Sequence, residues 1–283
     1  MSEWFRDRVA VLATMHRKEQ VMAPLLEQAL GVSVVVPDEF DTDLFGTFTR
    51  DVTRPADQLD TARLKARAAL ERTGASLAIA SEGSFGPHPA LPFLPCDREI
   101  VVLIDQQHDL EIVGEVLAIE TNFSHITVST LEDALIFAQK QGFPEHGLVV
   151  MADATALPSD PMIKGITSEA RLTEVVLQRL QRYDRVHLET DMRALYNPTR
   201  MKAIAQATQA LIAKASRVCP RCQTPGFAVF SYQHGLPCAF CRQPTAGILA
   251  EIYQCQKCQL TQEMRFPNGI EVADPAQCDF CNP

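Results

Sequence analysis

The chain has 283 residues, of which 46% are hydrophobic and 22% charged, enough apolar material to exclude a wholly disordered polypeptide. Lys and Arg number 26 against 35 Asp and Glu, and the formal charge of −9 argues against a protein that holds duplex nucleic acid by phosphate neutralisation. No uncharged apolar run reaches the ~18 residues of a membrane span, and the opening MSEWFRDRVAVLATMHRKE has no signal-type apolar core, so the expected setting is soluble and cytoplasmic.

Strand and helix alternate through the first two hundred residues. DRVAVLAT (7–14) has the short apolar run of a buried strand, and KEQVMAPLLEQAL (18–30) has helical spacing ended by Gly31. VSVVVP (32–37) is β-branched, and residues 55–74 form a helix punctuated by Pro55 and Gly74. SLAIAS (76–81) is a further strand. EIVVLID (99–105) and LEIVGEVLAIE (110–120) form an antiparallel hairpin around QQHD. Ser129 and Glu132 are placed to box the start of a helix over 131–142. Strand 147–152, helix 168–182 and strand 185–190 follow, and Asn197 caps a last helix from Pro198 to about Ser216. The expected fold is α/β, a mixed sheet with flanking helices over residues 1–216.

Ligands of such sheets gather beyond the carboxyl ends of strands. After the first strand stand Thr14, His16 and Lys18; after SLAIAS stand Glu82 and Ser84; after the 185–190 strand stand Asp191, Arg193 and Arg200. The loop DTDLFGTFTRDVTR (41–54) adds acids, threonines and two arginines. Asp191 can equally pair with Arg193 or Arg200 in a purely structural network.

Eight of the nine cysteines follow residue 218 as four CxxC pairs: Cys219/Cys222, Cys238/Cys241, Cys255/Cys258 and Cys278/Cys281. Two sulfurs on one tight turn face one ion and a second pair completes a tetrahedron, so residues 217–283 are expected to be a double zinc-ribbon module with two structural zinc ions. Pairing in sequence order gives CxxC-x15-CxxC and CxxC-x19-CxxC and is favoured; a nested arrangement is the alternative. Four thiolates per ion leave no open coordination position, which suits a scaffold that docks a protein partner better than a reaction centre, and the balanced local charge makes nucleic acid an unfavoured partner.

The phrases ASEGSFGPHP (80–89), FPEHGL (143–148), ETDMRALYNPTRM (189–201) and CDFCNP (278–283) resemble, over essentially the whole chain, a bacterial family known only as a domain of unknown function. That resemblance implies no activity. Over residues 8–120 the order strand, Thr-x-x-x-Lys, helix, GTF-x-x-x-V, LKARAAL, strand, Ser-Glu-Gly is similar to inosine-triphosphatase-like pyrophosphatases, although Met15 follows Thr14 where those enzymes carry asparagine. The similarity implies that Lys18 and Lys65 hold phosphate and that Glu82 holds magnesium, which would polarise the phosphoryl oxygens. Asp191, Arg193 and Arg200 would complete the pocket from the other side. The expected function is a magnesium-dependent hydrolase of nucleotides or other phosphorylated small molecules. The alternative is a non-catalytic ligand sensor whose zinc module docks a protein or RNA partner.

Overall fold

The computed structural model describes residues 3–38, 40–46, 55–152 and 162–283, so most of the 41–54 loop lies outside the described residues. The chain divides into two units, Asp7–Leu211 and Met1–Arg6 together with Ile212–Pro283.

In the first unit, β1 (Val9–Ala13), α1 (Glu19–Leu30), β2 (Ser33–Val35), α2 (Gln58–Thr73), β3 (Leu77–Pro87), β4 (Pro95–Asp105) and β5 (Leu110–Ala118) build a mixed sheet in the order β2-β1-β3-β4-β5. The first three of these strands run parallel, and β3, β4 and β5 form an antiparallel meander. α2 starts where the Asp57 side chain accepts the Asp60 amide and stops at Gly74, whose φ of 71° an L-residue adopts only with strain. Its small residues Ala62, Ala66 and Ala69 pack on Val11, Ala13, Ala78, Ala80, Val102 and Ile104. That cluster defines one face of the sheet.

A second sheet, β6-β9-β7-β8, is antiparallel throughout and was not separated from the first by sequence patterning. It comprises β6 (His125–Val128), β7 (Leu148–Met151), β8 (Ile163–Ile166) and β9 (Val186–Thr190). Helices α3 (Leu131–Lys140) and α4 (Glu169–Leu180) bury Ala134, Phe137, Leu172, Val175 and Val176 against Leu148, Val150, Val186 and Leu188. The α3 cap is displaced by one residue from the expected box: Thr130, not Ser129, accepts the Asp133 amide.

Helix α5 (Pro198–Ser216) begins as expected, with Asn197 Oδ1 accepting the Arg200 amide at 3.0 Å. It crosses the face of the first sheet opposite α2. There Gly114 lets the helix backbone approach so closely that any Cβ would overlap the Leu211 amide and the Ala207 carbonyl. Backbone cannot yield as a side-chain tip can. Gly114→Ala is therefore expected to destabilise the unit by about 3 kcal/mol, the upper end of the usual cost of overpacking, read as a lower urea midpoint at unchanged m-value.

In the second unit, β10 (Ala228–His234), β11 (Ile248–Gln254) and β12 (Thr261–Arg265) form an antiparallel meander with a small buried cluster of Phe227, Tyr253, Cys219 and Cys255 at one end.

Candidate functional site

β3 and β4 run further than their apolar cores predict. β1 last pairs with β3 at Ala80, whereas β3 continues to Pro87 paired with residues 95–101 of β4, and β5 stays paired with β4 down to Asp97, so the β3–β4–β5 meander extends beyond the carboxyl end of β1. Alternation along a strand sends Ser81, Gly83 and Phe85 to one face and Glu82 and Ser84 to the other. Register puts Glu99 opposite Gly83 and Asp97 opposite Phe85, on the first of those faces. Lys18, at the start of α1, reaches the same face and donates to Ser81 Oγ at 2.9 Å. Arg200, in the first turn of α5, donates from Nε to Glu99 Oε1 at 2.6 Å, gives a second hydrogen bond to the Met192 carbonyl, and lies 5.0 Å from the Phe85 ring centroid. Gly83 has no side chain because a Cβ there would overlap the Glu99–Arg200 pair.

The cluster is deeply buried: Lys18 and Arg200 are each 6% exposed, Asp97 1% and Glu99 0%. Burial, followed by the Arg200 guanidinium, lowers the Lys18 amine to about 8. Burial, followed by the neighbouring Glu99 carboxylate, pushes Asp97 up to about 8. Asp97 Oδ1 and Glu99 Oε2 find no donor in another group, and the two carboxyls lie within hydrogen-bonding reach of each other. A cleft of about 630 Å³ opens at the carboxyl ends of β1 and β2, lined by Thr14, Met15, Val36, Pro37, Asp38, Phe40 and Asp41.

The other residues that the sequence singles out are distributed differently. Lys65 and Glu82 meet each other on the α2 face, Nζ to Oε2 at 2.7 Å and both buried, so the two lysines expected to share a phosphate stand on opposite sides of the sheet. Gln58 supports this side by donating to the Glu82 and Arg98 carbonyls. Ser84, on the same face, is half-buried. Thr14 lines the cleft, and its hydroxyl accepts the His16 amide at 3.4 Å. Asp191 is fully occupied: its carboxylate takes the Gly165 amide, the Arg193 amide and two Arg193 guanidinium hydrogens, the arrangement of a structural network.

Sequence reasoning missed Asp97, Glu99 and Ser81. The available signal was Asp-x-Glu directly before an apolar strand, which places two acids on one face of a strand bound for the interior. Taking the strand to start at Glu99 hid it.

In the second unit the cysteines group by fours: Cys219, Cys222, Cys255 and Cys258, and separately Cys238, Cys241, Cys278 and Cys281. This interleaved pairing corrects the expectation of sequential ribbons and is not nested either. The hairpin causes it. Ala228 pairs with Gln254 at one end of β10 and β11, which brings the first and third CxxC turns together. His234 pairs with Ile248 at the other end, six steps of about 3.3 Å away. There β12 returns the chain, and Ala273 bridges to Cys238, delivering the fourth pair to the second. Residues after three of the turns, Gln223, Arg242 and Gln259, share a left-handed φ near 60°, and their amides donate to the carbonyls of Cys219, Cys238 and Cys255. Across the groups, sulfurs stand 3.6 Å (Cys219–Cys258 and Cys222–Cys255), 3.8 Å (Cys238–Cys281) and 3.7 Å (Cys241–Cys278) apart. No disulfide joins them, and tetrahedral Zn–S bonds of about 2.3 Å imply sulfurs about 3.8 Å apart, so each group could hold one metal ion and is consistent with zinc.

These features define an α/β protein carrying two four-cysteine groups that could each hold a metal ion. The chain belongs to the family described as a domain of unknown function (DUF6671), whose model matches residues 65–283. No curated protein matches it. Among solved structures, protein VC0702 from Vibrio cholerae is similar at 9% identity and a TM-score of 0.27, over 40% of this chain and 63% of that one.

Interleaving has a direct consequence for bound metal. Cys222→Ser with Cys258→Ser should cost one ion per chain, whereas Cys222→Ser with Cys241→Ser should cost both, as counted by elemental analysis. Sequential pairing requires the reverse.

Proposed function

We propose that the Asp7–Leu211 unit binds phosphorylated small molecules, nucleotides among them, and hydrolyses them with the help of a divalent cation, while the cysteine groups hold two structural zinc ions. The observation that carries this reading is the juxtaposition of two buried cations, Lys18 and Arg200, with the Ser81 hydroxyl and two under-partnered carboxyls beyond the carboxyl end of β1. An ammonium and a planar guanidinium are the usual partners of phosphoryl oxygens, and burial strengthens both interactions. Lys18 and Arg200 orient the phosphoryl group and stabilise the charge that builds on its oxygens as water adds to phosphorus. The bond to the leaving oxygen breaks, and the proton of the attacking water passes to solvent. A bound cation supplies polarisation of the same oxygens. The open cleft beside Thr14 offers room for the remainder of the ligand.

Binding without turnover is the second reading. It is favoured by the near-complete burial of the charged cluster, and its docking half by Phe240 and Phe280, which stand 81% and 74% exposed in two turns of one cysteine group. A protein partner for that apolar tip would be lost on deleting residues 217–283.

Thermal shifts with pyrophosphate, nucleotides and sugar phosphates, each with and without magnesium, followed by phosphate release from every stabilising compound, separate the two readings. Hydrolysis is expected. Lys18→Ala and Arg200→Ala should each lower kcat/KM by about 10- to 100-fold, the cost of a charge-assisted hydrogen bond. Stabilisation with no release would leave only the sensor.

The lowered Lys18 pKa sets a pH dependence. Lys18 carries its charge below about 8 and loses it above, and Asp97 ionises over the same range, so pyrophosphate affinity should fall as pH rises through about 8. Affinity unchanged to pH 10 would exclude Lys18 from the anion site.

A further inference from the structure

Asp97 and Glu99 present an unresolved balance. They stand two residues apart on β4, on the face shared by Ser81, Gly83 and Phe85, and water scarcely reaches either. Glu99 spends Oε1 on Arg200, but its Oε2 and Asp97 Oδ1 find no donor in another group, and the two carboxyls are within hydrogen-bonding reach of one another. The nearest donors are directed elsewhere: Lys18 to Ser81, and Arg200 to Glu99 Oε1 and the Met192 carbonyl. Buried acceptor oxygens are nearly always satisfied, and two that face each other repel unless something positive lies between them.

We propose that Asp97 Oδ1 and Glu99 Oε2 are the protein ligands of one hard divalent cation, magnesium or manganese. Such an ion is held by one or two carboxylates and fills its remaining positions with water and phosphate oxygens. A two-carboxylate site matches that habit. Lys18 and Arg200 balance the two acids once Asp97 gives up its proton to the ion, so the ion's two positive charges await an anionic ligand, and the ion and a phosphorylated molecule would each strengthen binding of the other. Glu82, the acid that the sequence puts forward, lies on the opposite face with Oε2 committed to Lys65. The ion's role in hydrolysis rests on the function proposed above; its binding does not.

The test is manganese uptake by the full chain, loaded at its cysteine groups and free of nucleotide, followed by electron paramagnetic resonance. One ion per chain is expected, displaced by magnesium. Asp97→Asn and Glu99→Gln should each weaken uptake at least tenfold, while Glu82→Gln leaves it unchanged. Thermal midpoints check that the variants fold. Because Glu99→Gln also loosens Arg200, the isosteric Asp97→Asn decides if the two differ. Should neither fold, manganese broadening of wild-type amide resonances, expected first at Gly83 and Arg98, decides instead. No uptake by the wild type, wild-type affinity in folded Asp97→Asn, or loss in Glu82→Gln would overturn the site and leave two carboxyls that share a proton only. Uptake at Asp97 and Glu99 without hydrolysis of any phosphorylated compound would instead overturn the hydrolase reading and keep the cation site.

Discussion

The candidate site depends on a buried long-range ion pair, Arg200 on Glu99, joining residues 101 positions apart. A buried pair adds little net stability, because desolvation offsets most of the attraction, but breaking it strands a charge in the interior at a cost of about 3–5 kcal/mol. Such a pair is better at fixing geometry than at holding a fold together. Here it fixes where the first turn of α5 meets β4, while Asn197 caps that turn at the Arg200 amide and the Phe85 ring lies against the guanidinium. Gly114 fixes the same helix further along by admitting its backbone. With both anchors set, α5 has little freedom to slide, and Arg200 is held facing Lys18 and Asp97. Gly83 is the silent member of this arrangement, since only the absence of a side chain leaves the pair its space.

The cysteine-bearing unit is held by a different constraint. Its buried apolar residues, the cluster of Phe227, Tyr253, Cys219 and Cys255 and small or single side chains such as Ala250, Ala273 and Leu236, make a thin core for three strands, many of whose residues face solvent. Metal held by the cysteine groups would supply that ordering, since binding free energy at such sites is folding free energy. Interleaving makes this economical: each group ties together turns from two different connections, so the meander is clamped at both ends rather than assembled as two independent loops.

Local pattern carried most of the fold. The Gly74 stop of α2 and the β4–β5 hairpin were legible because spacing and turn residues pointed the same way, whereas the helix starts at Gln58 behind an Asp57 cap and not at Pro55. β6 and β8 were not, since four-residue strands with half-exposed side chains show too few periods to stand out. The cysteine ligands were legible as residues but not as partners. Loop spacing says which pairs lie near in sequence, and the register of β10 on β11, a tertiary fact, decides which pairs meet. The candidate site was half legible for the same reason. Lys18 and Arg200 announced themselves at element ends, whereas Asp97 and Glu99 became visible only once β4 was seen to begin at Pro95 and to turn two acids inward.

The two kinds of site on this chain differ in a way that bears on their roles. A thiolate tetrahedron with turn amides folded around each sulfur pair is coordinatively complete; once filled, it offers an incoming molecule no vacant position, and its exposed residues, Phe240 and Phe280 among them, are what a partner can meet. The carboxyl pair is the converse. Two of its oxygens find no donor in another group, its flanking cations are held by burial, and the same unit opens a cleft at the carboxyl ends of β1 and β2, where α/β sheets keep their ligands. A protein built only for scaffolding would gain nothing from charged groups left incomplete in its interior, because isosteric apolar side chains would fold as well or better. Retaining them is costly, and that cost supports the binding role proposed for the sheet unit.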